Sequence, residues 1–215
     1  MEAAPPGPSA PMAPTALATL RSLARPREPG ERCELCGSAI AAEHRHLFEP
    51  SARMLTCSCQ ACSLLFTSQA AARYRLVPTR LQLLRGFQLS DERWDELMVP
   101  VNLAFFTPSS RERRVVAYFP SPAGATESHL GLDTWRRLEA DNPVLRELEP
   151  DVEALLVNRV GHARDHFLAP IDECYRLVGL VRFGWRGLSG GAEVWRAIGE
   201  FFAGLKSRAK PVGDG

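Results

Sequence analysis

Five of the six cysteines in this 215-residue chain lie close together near its N-terminus, and they are the residues best suited to chemistry. Cys33 and Cys36 are separated by two residues, and Cys59 and Cys62 repeat this spacing further along the chain. Two intervening residues allow both sulfurs of a pair to point at one metal ion. Gly37 follows the first pair and permits the positive φ that such a turn often requires. The pattern therefore predicts a metal site with Cys33, Cys36, Cys59 and Cys62 as ligands.

The ligand set narrows the choice of metal. Four thiolates suit tetrahedral Zn²⁺, and they suit the single iron of a rubredoxin-like site equally well. Iron–sulfur clusters also take four cysteines, although their loops usually space them differently. Five unligated thiols are a poor alternative, because a region this short has little core in which to bury them. We expect zinc, with iron as the alternative.

Cys57 is a fifth cysteine and exceeds what one tetrahedral site needs. We expect it to lie close to the metal as an exchangeable thiol while Cys59 ligates. The alternative is that Cys57 and Cys62 ligate and leave Cys59 free. His44 and His46 would share one face of a strand, so they form either a solvated polar face or additional groups that ligate or support the metal.

Short elements are expected to hold these residues. The segments "HRHLFE" and "RMLTCSC" predict a hairpin with "EPSA" as its turn, within a cysteine module at 30–70. Residues 1–29 hold seven of the 17 prolines and no aromatic residue, so we expect this Pro/Ala-rich tail to be disordered.

Residues 71–208 carry a mixed helix and strand pattern. "SDERWDELM", with Ser90 as N-cap, and "DTWRRLEA" predict helices, whereas "VPVNLAFF", "RRVVAYFP" and "DVEALLVNRV" predict strands. Apolar residues at helical spacing predict two C-terminal helices, and 209–215 is expected to be a flexible tail. The expected fold is α+β: an N-terminal zinc-ribbon-like or rubredoxin-like cysteine module, followed by a small, mostly antiparallel sheet covered by the C-terminal helices.

Several titratable residues near the C-terminal helices could form an acid–base or Cys–His site, namely His162, Asp165, His166, Asp172 and Cys174. No nucleophile motif surrounds them, and Cys174 lies on the apolar stripe of its predicted helix. The two histidines are four residues apart, but Gly161 and the strand-like "FLAP" argue against a metal-binding helix. We therefore expect no enzyme and no catalytic residues.

Charge and hydropathy argue against other classes. The formal net charge is +1, and arginines only slightly outnumber carboxylates around the cysteines, so nucleic-acid binding is not expected. No apolar run reaches the roughly 20 residues that a membrane span needs. No secretory signal is visible, and clustered cysteines favour a reducing cytoplasm.

Seven segments carry a resemblance to a known family: "RCELCG", "EHRHLF", "CSCQACSLLF", "YFPSPAGATES", "PDVEALLV", "PIDECYRLVGLVR" and "WRGLSGGAEVW". Together they cover about 31–206. The chain resembles an uncharacterised domain-of-unknown-function family of high-GC Gram-positive bacteria whose genes neighbour those of nickel–iron hydrogenases. The resemblance implies a context of hydrogenase assembly or electron transfer and supplies no catalytic residues.

The expected function is that of a metal-binding accessory protein with structural zinc. It would assist assembly, maturation or support of a metalloenzyme such as a nickel–iron hydrogenase. The expected partner is a hydrogenase subunit or maturation factor, docked by the α+β region. The alternatives are a rubredoxin-like electron carrier and a nucleic-acid-binding zinc-ribbon regulator.

Overall fold

The computed structural model describes residues 31–68, 73–129, 131–187 and 190–213. The predicted disordered tail, 1–29, lies outside the described residues. In chain order the elements are β1 (Arg45–Glu49), β2 (Met54–Ser58), α1 (Gln60–Thr67), β3 (Arg75–Leu76), β4 (Gln82–Leu84), α2 (Asp91–Glu96), β5 (Leu103–Ser109), β6 (Arg114–Ser121), β7 (Gly124–Ser128), α3 (Leu132–Asp141), a 3₁₀ turn (Pro143–Glu147), β8 (Glu153–Asn158), β9 (Asp165–Pro170), α4 (Ile171–Gly184), α5 (Gly191–Arg208) and β10 (Lys210–Val212).

The cysteine region is built on a three-stranded sheet in the order β2-β1-β3. The predicted hairpin is present, with β1 and β2 antiparallel and His46 opposite Cys57. β3 pairs with the other edge of β1 and lies beyond the predicted boundary at residue 70. The apolar "SLLF" segment belongs to helix α1, which begins directly after Cys59.

A seven-stranded sheet in the order β10-β4-β9-β8-β5-β6-β7 forms the larger part of the fold. Its pairs are antiparallel except for the parallel edge pair of β10 and β4. Lys210–Val212 fall within the segment predicted to be a flexible tail, but they form β10. Backbone hydrogen bonds from Lys210 N to Leu81 O and from Arg85 N to Val212 O hold this strand in place.

Helices cover both faces of the seven-stranded sheet. Phe105 and Phe106 are adjacent on β5 and therefore enter opposite cores. The core on the Phe105 side contains residues from α4 and α5, including Leu177 and Phe202. The other core contains residues of α2 and α3, including Trp94 and Trp135. The predicted α+β class is confirmed; the covering of the second face was not predicted.

The small sheet packs against the same core as the C-terminal helices. Phe48 of β1 is buried in the core that contains Phe105, and its ring centroid lies 6.1 Å from that of Tyr175 on α4. His46 Nδ1 lies 2.8 Å from Asp172 Oδ2 in the first turn of α4. The cysteine region therefore shares a packed boundary with the α+β region and has its position fixed by it.

Candidate metal centre

The four cysteines of the two predicted pairs converge. The sulfurs of Cys33, Cys36, Cys59 and Cys62 all lie within 4.8 Å of one another, and Cys36 Sγ and Cys59 Sγ are 3.8 Å apart. A tetrahedral zinc ion with Zn–S bonds of about 2.3 Å requires sulfur separations of about 3.8 Å. These four residues therefore lie close enough to bind one metal ion.

The first pair is held by a tight turn. Cys33 N donates to Ser38 O and Gly37 N donates to Cys33 O, both at 2.8 Å. Gly37 has a φ of +75°, so the glycine after the second cysteine serves the role expected from the sequence. Burial raises the pKa of the Cys33 thiol, but backbone hydrogen bonds from the cysteine turns outweigh it and lower the pKa to about 6. The turn thus favours a thiolate at Cys33.

The second pair uses a helix start in place of a glycine turn. Cys59 is the N-cap of α1, and its Sγ accepts a hydrogen bond from Cys62 N at 3.4 Å. Ser63 continues the helix and donates its N–H to Cys59 O, so no positive φ is needed after Cys62. Burial, followed by hydrogen bonds with the neighbouring thiols, raises the pKa of Cys62 to about 12. A bound metal ion would displace the thiol proton of Cys62, since a cysteine ligates a metal as the thiolate.

Cys57 is part of a second group of possible metal ligands. Its sulfur and one ring nitrogen each of His44 and His46 lie within 4.8 Å of one another. Burial, then the charges of Glu34 and Glu31, raise the pKa of its thiol. The charge of Cys33 also acts on this thiol, so Cys57 lies near the four-sulfur site as well as beside the histidines.

His44 and His46 are not on a solvated face. Their ring centroids are 4.6 Å apart, and their side chains are only 7% and 27% exposed. His44 Nδ1 lies 2.9 Å from Ala41 O and 3.0 Å from Glu31 Oε2. The hydrogen bond of His46 to Asp172 raises the pKa of this histidine, although burial acts in the opposite direction.

An open groove of about 560 Å³ runs beside the four-cysteine group and the cluster of Cys57 with the two histidines. It is lined by Cys59 of the first group and by His44 of the second. Arg45 and Ser58, opposite one another at the end of the hairpin, also line it. The remaining lining residues are Ala39, Ile40, Ala41, Glu43, Gln60 and Thr79. Solvent therefore reaches the edge of the cysteine region at this groove.

Comparison with models of known protein families gives a match over residues 32–209 to the family of unknown function DUF5947. The chain belongs to this family. No curated protein and no solved structure gives a significant match. Within the part of the chain that the structure describes, none of the helices combines the length and apolar character needed to cross a bilayer.

The candidate acid–base residues of this DUF5947 protein do not converge. Cys174 is fully buried in the core on the Phe105 side. His166 faces the other side of the sheet, where its ring stacks on Phe87 at 4.6 Å between centroids. Burial, then the nearby Arg159, lowers the pKa of His166 to about 4. The sheet thus separates the thiol from the imidazole, so they cannot act as a Cys–His pair.

Asp172 is the residue whose role the sequence did not reveal. The sequence groups Asp172 with other candidate acid–base residues, but its carboxylate contacts His46, which is 126 positions away along the chain. No local motif signals this contact, because it depends on how the hairpin packs against α4.

Two arginines near the β5–β6 turn, Arg53 and Arg114, are paired with carboxylates. Arg114 contacts Glu112 and Glu127, and Arg53 contacts the same two residues. Such pairing leaves less positive potential for a phosphate backbone than a free arginine cluster would.

Proposed function

We propose that this protein is a metal-binding accessory protein that holds zinc at its four-cysteine site and docks a partner protein. The partner would be a metalloenzyme under assembly or maturation in the cytoplasm, for which the family resemblance indicates a nickel–iron hydrogenase. The convergence of the four sulfurs of Cys33, Cys36, Cys59 and Cys62 is the observation that carries the proposal.

A structural role for the metal follows from what the four ligands connect. Cys33 and Cys36 lie in the turn before the hairpin, and Cys59 and Cys62 lie at the start of α1. A metal ion would tie these two segments together at a place where a three-stranded sheet supplies little core. Small metal domains gain much of their folding free energy in this way.

An exposed apolar surface beside the metal site supports docking. Leu64, Leu65 and Phe66 are consecutive on α1 and are 59%, 68% and 41% exposed. They directly follow Cys62 and Ser63, so a metal that fixes the start of α1 also fixes the direction of this apolar surface. Contiguous exposed apolar side chains mark protein interaction sites more often than isolated ones do.

The direct test is the metal content of the purified protein. Elemental analysis should find zinc bound by the wild-type chain and lost from the Cys33→Ser variant. A colourless wild-type protein with no zinc or iron after anaerobic purification would refute the metal-binding proposal.

The accessory role is tested in a native strain that lacks the gene. Hydrogenase activity should fall in the deletion strain and return with the wild-type gene. It should not return with Leu65→Asp. Phe183→Asp is the matched control, because Phe183 is also exposed but lies on α4. Unchanged hydrogenase activity in the deletion strain would refute the assigned context.

A rubredoxin-like electron carrier is the second candidate, favoured by the position of Cys36. This residue is exposed, whereas Cys33 is buried, so one ligand of a bound iron would reach the surface. Hydrogen bonding with Ser38 lowers the pKa of Cys36, which favours its thiolate form. A red protein with thiolate-to-iron charge-transfer bands would support this function, and a colourless protein with bound zinc would exclude it.

A further inference from the structure

We propose that His44, His46 and Cys57 form a second transition-metal site, distinct from the four-cysteine site. One nitrogen of each imidazole and the sulfur of Cys57 lie within 4.8 Å of one another, close enough to share a single ion. None of these atoms belongs to the four-sulfur group. The fifth cysteine therefore gains a role that a single tetrahedral site cannot give it.

The hydrogen bonds of His44 determine which nitrogen would bind the metal. Its Nδ1 lies 2.9 Å from the carbonyl oxygen of Ala41, and a carbonyl can only accept a hydrogen bond. Nδ1 therefore carries the proton, and Nε2 presents a lone pair. The side chain is 93% buried, being 7% exposed, and Nε2 has no hydrogen-bond partner among the described residues. A buried nitrogen lone pair without a donor is the group that a metal ion would satisfy.

His46 is oriented in the same way by a different acceptor. Its Nδ1 lies 2.8 Å from Asp172 Oδ2, and a second carboxylate oxygen of Asp172 accepts the N–H of Glu173. Asp172 is thus held in place by the first turn of α4. A carboxylate on Nδ1 directs the Nε2 lone pair outward and increases its basicity, as in carboxylate–histidine–zinc arrangements. Asp172 acts here as a positioning residue.

The third ligand is supported by the backbone around it. Cys57 lies opposite His46 in the β1–β2 hairpin, which brings its sulfur to the histidines across the two strands. Glu34 accepts the N–H of Cys57, and Glu31 contacts His44 Nδ1. These two carboxylates add negative charge beside the three ligands, which favours a bound cation over an empty cluster.

The donor set indicates the class of metal. Two imidazoles and one thiolate suit borderline transition-metal ions such as Zn²⁺ or Co²⁺ and do not suit Mg²⁺ or Ca²⁺, which take oxygen ligands. Three protein ligands leave a fourth tetrahedral position open, unlike a closed structural site. The groove that contacts His44 gives solvent or a small ligand a path towards this region.

The test is a titration of the full-length apo protein with Co²⁺, followed by its ligand-field absorption under anaerobic conditions. The wild type should bind two equivalents, the first with an all-sulfur spectrum and the second with a mixed nitrogen–sulfur spectrum. Cys57→Ser and His46→Gln should bind only the first equivalent tightly. His162→Ala is the matched histidine control, because His162 is exposed and lies outside the cluster; it should bind both.

Asp172 provides a second variant that leaves all ligands in place. Asp172→Ala should weaken the second equivalent by about 10- to 100-fold and leave the first unchanged. Asp172→Asn keeps an oxygen for His46 Nδ1 and should restore most of the affinity. A wild type that binds only the equivalent with the all-sulfur spectrum, or a Cys57→Ser protein that binds two with unchanged spectra, would overturn the second site. A wild type that binds only the equivalent with the mixed nitrogen–sulfur spectrum would overturn the four-cysteine site instead.

Discussion

The exchange of Cys59 for serine tests the assignment of the four-sulfur site with little change to the fold. Cys59 Sγ caps α1 by accepting the N–H of Cys62, and serine is a favoured N-cap residue. Cys59→Ser therefore keeps the cap and removes a thiolate ligand. Cys57→Ser is the matched control, since it makes the same change two residues away on the adjoining strand.

The size of the stabilisation by the metal follows from the linkage between metal binding and folding. An ion that binds only the folded chain at a free concentration 1,000 times its Kd stabilises the fold by about 4.1 kcal/mol. For a chain of this size, each kcal/mol shifts Tm by roughly 2–4 °C. Removal of zinc from wild type at that loading should therefore lower Tm by about 8–16 °C.

The assay is thermal unfolding with zinc buffered at that level and again after chelation. With three protein ligands in place of four, the proposed second site is expected to bind more weakly and to stay mostly empty at this loading, so Cys57→Ser should keep the wild-type shift. Cys59→Ser should show little shift. If Cys59→Ser retained the shift and Cys57→Ser lost it, Cys57 would be the ligand and the assignment would be wrong.

Three further predictions concern other parts of the chain. Gly37→Ala should weaken metal binding at the four-cysteine site by roughly 5- to 30-fold in a competition titration, because alanine at φ +75° costs about 1–2 kcal/mol. An unchanged Kd would show that metal binding does not require the positive φ at this position. His166 has a pKa of about 4 when folded and about 6.5 when unfolded, so the unfolded chain binds the additional proton. In denaturant titrations, the free energy of unfolding should therefore fall by up to about 3 kcal/mol as the pH is lowered from 6.5 to 4. His166→Gln should remove this part of the pH dependence of stability. An identical pH dependence in the variant would contradict the reasoning. Cys174→Ala should complement a deletion strain fully, because this thiol is buried in an apolar core, and failure of the folded variant to complement would point to a chemical role.

The local elements were largely predictable from the sequence. The β1–β2 hairpin, the Ser90 cap of α2, the β5–β6 hairpin and the two C-terminal helices all follow from short-range periodicity and turn residues. Helix α1 was not predicted, because "SLLF" carries no helical spacing and its start depends on Cys59 as N-cap. Strand β7 was not predicted, although Ser121 and Gly124 close a tight hairpin there.

The two C-x-x-C pairs are visible in the sequence, and their spacing is enough to identify four cysteines able to share one ion. The rest of the site depends on contacts between distant segments. The tertiary structure placed Cys57 beside the histidines through the register of the hairpin, and it brought Asp172 to His46 through the packing of β1 against α4. It also placed His166 and Cys174 on opposite faces of one sheet. Spacing within a turn is fixed by local backbone geometry, whereas contacts between distant segments depend on which apolar faces pack together.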